Sequence, residues 1–185
     1  MKKKLVIAVG FVVSVTLISC TGAKNVVKDE TLIETYCSGD EQLSNKDYFR
    51  SNGIGESMDQ MTARQKARSN AQNEMAKSIK STMKVVGDNY VNSTEVNNKE
   101  EVTETFNEMT RTIVDQELNG AVKICEKFTK TKEGNYKCYL ALELSAANLL
   151  KKYNESLSSD DKIKADYNYE TFKKTFEEEM NKQKK

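Results

Sequence analysis

The chain has 185 residues, room for one compact domain; 37% are apolar and 31% charged, so a thin core must serve under a heavily ionised surface. It contains no histidine, tryptophan or proline. The missing histidine removes the commonest general base near neutral pH, every Ser-His and Cys-His nucleophile pair, and every His-containing metal site. The missing proline leaves long helices uninterrupted. Net charge is +1, and without Lys2, Lys3 and Lys4 the count is 26 basic residues against 28 acidic, so nucleic acid has no electrostatic hold on the chain.

Those three lysines precede LVIAVGFVVSVTLIS (5–19), a positive n-region followed by an apolar h-region. The run is shorter than the roughly 18 to 20 residues that a helix needs to cross about 30 Å of hydrocarbon. It ends at Leu17-Ile18-Ser19-Cys20, which resembles a bacterial lipobox. The resemblance implies that the Cys20 thiol takes a diacylglyceryl group, that small Ser19 admits the peptidase, and that the freed amine is then acylated. A plain secretory signal or a short anchor is the alternative. Two or three acyl chains, at about 0.8 kcal/mol per buried methylene, would hold the mature protein on a membrane. Thr21 stands where an aspartate commonly signals inner-membrane retention, so the expected place is the outer membrane, facing the periplasm, with surface exposure as the alternative.

Residues 20–46 read as a lipidated N-terminus and polar tether whose second half docks on the domain. Tyr48–Ser57 is a short strand, with Gly53 and Gly55 where something approaches closely. Ala63, Ala67, Ala71, Met75, Ile79, Met83, Val86 and Tyr90 then recur at steps of four or three, predicting one long helix over 61–92, capped by Asp59 or Thr62. Val102, Phe106, Met109, Ile113 and Leu118 mark a second helix closed by Asn119-Gly120, with a strand near 109–117 as the competitor.

A hairpin follows, 121–129 with 136–144. Val122, Ile124 and Phe128 form one face, and Cys138, Leu140, Leu142 and Leu144 another. Joining these faces sets Phe128 near Leu140 and Ile124 near Leu144, around an odd-length loop with Gly134 or Asn135 left-handed. Ala146–Leu157 is a short helix. The last helix, about 169–183, carries Tyr169, Phe172, Phe176 and Met180 on one stripe. A helix of that length is marginal alone in water, so the stripe must be buried. The expected cover is the sheet's second face in the same molecule. A partner surface, as in a homodimer, is the alternative, and Glu177-Glu178-Glu179 fits a lipid surface least.

GIGES (53–57), the alanine ladder of 62–83 and NGAVKICEKFTKTKEGNYKCYLALEL (119–144) together resemble the LPP-twenty lipoprotein family. The resemblance spans about 48–155. It implies a small α+β envelope domain, a long helix against an antiparallel sheet, and no catalytic residues. The domain reading is therefore a signal peptide at 1–19, a tether at 20–46, the α+β domain at 47–157 and a helical tail at 158–185.

Three thiols remain once Cys20 is lipidated, so one stays unpaired in a monomer. In the hairpin register above, Cys138 lies on the leucine face and Cys125 on the other, which leaves Cys37 as the better partner for Cys125. Three free thiols are the alternative. Gly53-x-Gly55 lacks the third glycine of a dinucleotide loop, Met58 standing in its place. The carboxylate runs fall on polar helix faces, and no acidic calcium loop is present in the sequence. The expected function is a non-enzymatic outer-membrane lipoprotein with an envelope-structural or assembly role, held by its anchor beside an envelope protein partner, without cofactor or metal. The alternative is a periplasmic or surface binding module for a protein or glycan, using the sheet's second face (Lys123, Lys127, Lys137 and Tyr139) or the Tyr-Phe tail.

Overall fold

A computed structural model describes residues 33–94 and 98–183. The export signal, Cys20 and the first half of the tether lie outside the described residues. The unit Glu34–Lys185 is compact, so the second half of the tether and the tail both belong to the folded body, and the boundaries expected at 47 and 157 do not delimit it.

The fold is α+β. Strand β1 (Tyr48–Ser57) leads into α1 (Gln60–Ser93) and α2 (Lys99–Glu117), then the hairpin β2 (Val122–Lys130) and β3 (Tyr136–Ser145), then α3 (Ala146–Ser159) and α4 (Tyr169–Lys182). The sheet is antiparallel in the order β1-β3-β2. Helix α1, about 50 Å long at 1.5 Å per residue, starts where Asp59 accepts the Thr62 N–H at 2.7 Å. That bond holds the Asp59 carboxyl below its ordinary value.

Alanines allow α1 to lie close on the sheet. A Cβ on Gly53 would stand 2.3 Å from the Ala67 carbonyl oxygen, and one on Gly55 would stand 2.2 Å from that of Ala63. One inward position earlier, Ser51 donates to the Ala71 carbonyl at 2.7 Å. The inner face is completed by Phe49, Cys138, Leu140, Leu142 and Leu144, all buried. Farther along α1, where larger side chains replace alanine, Tyr90 meets an aromatic cluster of Phe106, Tyr153, Tyr167 and Phe172 with ring centroids 5.7 to 6.2 Å apart. The β-branched run at 112–114 is helical, because α2 buries Ile113 and Val114 with Phe106 and Val102.

The hairpin departs from its expected register. Lys130 pairs with Tyr136 and Phe128 with Cys138, two residues from the expected partners. A shift of two keeps every side chain on its face, so burial does not discriminate between the two registers. The turn does: Gly134 donates to the Thr131 carbonyl at 3.0 Å, Thr131 donates to that of Asn135 at 2.8 Å, and Gly134 takes the left-handed φ of 90°. A register shift between Lys123 and Cys125 leaves Ile124 as an extra residue. It turns over what precedes it, so Val122 lies opposite Glu143 and is 62% exposed, outside the core where the alternation placed it.

Candidate functional site: the outer face and edges of the sheet

Side chains of alternate residues form the outer face in rows: Ile54, Tyr139 and Lys127; Asn52, Ala141 and Cys125; Arg50 and Glu143. A strap, residues 35–44, crosses it. Cys37 is disulfide-bonded to Cys125, with Cα atoms 5.6 Å apart, and is buried over Ala141, which is itself fully buried. Cys138 is a free, buried thiol on the opposite face, pushed up in pKa by burial and by the charge of Glu126.

Apart from the bridge, the strap is held by polar contacts. Arg50 pairs with Glu143 at 2.6 Å and donates to the Glu41 carbonyl at 3.1 Å, while Ser44 Oγ accepts the Arg50 N–H at 2.9 Å and donates to its carbonyl at 3.1 Å. The Tyr36 ring meets Tyr139 edge-on at 5.3 Å, and Lys137 Nζ lies 5.6 Å from the Tyr139 centroid. Cys37 adopts a positive φ of 58°, a left-handed conformation that disfavours a side chain.

The proposed binding face is therefore only partly assembled. Lys127, Lys137 and Tyr139 are on it, but Lys123 is not. The extra residue at Ile124 turns Lys123 to the inner side, where it pairs with Glu126 at 3.1 Å beside the Arg64–Glu126 pair at 3.0 Å. Burial tends to raise the Glu126 pKa, but hydrogen bonds from Lys123 and Arg64 outweigh it and lower the value.

The aromatic stripe of the tail is covered within the molecule. Phe172, Phe176 and Met180 are buried, and only Tyr169, 37% exposed, is open. The stripe docks within the molecule, but on the helical layer instead of the second face of the sheet: Phe172 enters the Tyr90–Phe106–Tyr153 cluster, and Gln183 donates to Thr82 at 2.8 Å. The strap already occupies the outer face. Burial also pushes the Tyr153 and Tyr167 phenols far above their ordinary range; both sit in this packed cluster, apart from Glu126.

The edges differ. On β1 four of the five outward carbonyls are taken up, by the Asn45 N–H on Tyr48, Ser44 on Arg50, Asn70 on Ile54 and Lys66 on Glu56, at 2.8 to 3.1 Å, and that of Asn52 has no partner among the described residues. On the far side of β2 no strand pairs among the described residues, and Arg68 reaches only the Ala121 carbonyl at 3.4 Å. A hollow of about 590 Å³ near Lys46, Ser145 and Glu177 is lined by charges of both signs. Among the described residues, no group of three His, Cys, Asp or Glu is placed to hold a metal ion, and no helix is long and apolar enough to cross a membrane. Compared with protein-family models, curated proteins and solved structures, the chain matches none.

Proposed function

We propose that the protein is a non-enzymatic lipoprotein of a bacterial outer membrane with a structural or assembly role in the envelope. The observation that carries this reading is Leu17-Ile18-Ser19-Cys20, standing where the apolar run after Lys2-Lys3-Lys4 ends. The Cys37–Cys125 bridge supports it, because such bonds persist where export signals lead, outside the reducing cytosol. The long helix lying on an antiparallel sheet is also the arrangement that resemblance to the LPP-twenty family implies. Metabolic labelling with a fatty acid tests the anchor: Cys20→Ser should abolish acylation and block maturation, and equal labelling of the variant would sink the reading. A second reading, a binding module for a partner protein, is favoured by the unpaired edge of β2.

A further inference from the structure

The two sheet edges carry a chemical contrast. Unpaired strand edges offer rows of N–H and C=O groups to any extended chain, and proteins block them unless pairing is wanted. Side chains and the strap fill the outward carbonyls of β1 at Tyr48, Arg50, Ile54 and Glu56. Along β2, the antiparallel ladder alternates outward from the Thr131–Asn135 bond, so the N–H and C=O groups of Glu126, Phe128 and Lys130 point away from β3. The described residues offer these groups no strand partner.

This edge is cationic. Lys123, Lys127 and Lys130 belong to β2, and Arg64 and Arg68 reach it from α1; the one carboxylate, Glu126, is already paired with Arg64 and Lys123. Val122 and Ile124 add exposed apolar surface at its start. A second copy is a poor occupant, since joining two such edges gathers ten cations around two neutralised carboxylates. An incoming strand with acidic side chains meets the opposite situation: backbone hydrogen bonds provide attachment, and the lysines and arginines select charge.

We propose that the free edge of β2 is the docking site for an extended acidic segment of a partner protein, added as a fourth strand. This deepens the binding-module reading and does not depend on acylation of Cys20, so the labelling experiment and the one that follows fail separately.

Hydrogen exchange on the full-length oxidised protein tests it, with a nine-residue peptide of alternating valine and glutamate as probe and a lysine-for-glutamate peptide as control. The acidic peptide should slow exchange in 122–130, lose that effect as salt rises, and leave α4 unchanged, while the control does nothing. In the double variant Lys127→Glu/Lys130→Glu, which leaves three cations against three carboxylates along the edge, the acidic peptide should no longer slow exchange in 122–130, while exchange in α1 and α4 stays as in the natural protein, which an unfolded variant would not show. The proposal is overturned if β2 exchange ignores the acidic peptide, if the variant binds both peptides as the natural protein does, or if β2 becomes protected through self-association without any peptide.

Discussion

On the inner face of the sheet, Gly53 and Gly55 lie so close beneath α1 that a methyl group on either would fall within 2.3 Å of a helix carbonyl oxygen, and no covalent bond is needed to hold the layers. On the outer face, the strap over 35–44 buries little beyond Cys37 and leaves Tyr36 and Leu43 largely in water, yet it is fixed across the sheet by a disulfide and by Arg50. The contrast follows from side-chain volume. A 34-residue helix gains contact along its whole length, through alanine against glycine over its first turns and through larger side chains in the core beyond, whereas a ten-residue polar segment cannot offset its own ordering entropy and needs a covalent link. The link closes a loop with a sequence separation of 88 and contributes about 4.6 kcal/mol in the chain-entropy model, before strain.

Three substitutions sharpen that comparison. The largest effect belongs to the helical layer: Phe172→Ala empties the centre of the aromatic cluster and should cost about 4 kcal/mol in chemical denaturation, equally at all protein concentrations. A concentration-dependent loss confined to the natural protein would instead make α4 an interface. Next comes the contrast between faces. Gly55→Ala should cost about 3 kcal/mol, because the obstacle is backbone. Ser44→Ala, which removes the two hydrogen bonds of the strap to the Arg50 backbone, should cost about 1 kcal/mol. Similar losses from both would erase the distinction.

The smallest effect is electrostatic. The lowered pKa of Glu126 means that its contribution is fully present above the ordinary carboxylate value, near 4.5, and is lost as pH falls through the lower folded value. Glu126→Gln should therefore be slightly less stable than the natural protein at pH 7, and the gap should close as the solution is acidified. A gap that widened in acid would reverse the assigned sign.

Much of this architecture is legible in the residues. The four-residue spacing from Ala63 to Tyr90 marks α1 to within a residue or two, and two glycines in a strand announce a close neighbour. Face assignment along β3 also follows from alternation, which is why Cys138 separates from Cys125. Alternation is blind, however, to a shift of two, and the turn around Gly134 decides the pairing of Phe128. It is blind as well to an inserted residue, so Val122 and Lys123 change sides at Ile124. The stripe of α4 declares that it must be buried without naming the surface. The second face carries Lys127, Asn52, Arg50 and Glu143 and is crossed by the strap joined through Cys37, so the helical layer receives the stripe. The candidate edge is less visible still, because what blocks β1 and leaves β2 open comes from side chains outside the strands, such as Asn70 and Lys66.

The strap is closed over the outer face covalently, and the export we propose is what would let that bond persist. Non-reducing peptide mapping of the protein taken from intact envelopes, with thiol alkylation before and after denaturation, tests it most directly. The account predicts a Cys37–Cys125 peptide and a Cys138 thiol that reacts only once the protein is unfolded. A bridge containing Cys138, or three thiols all reactive in the native protein, would contradict it.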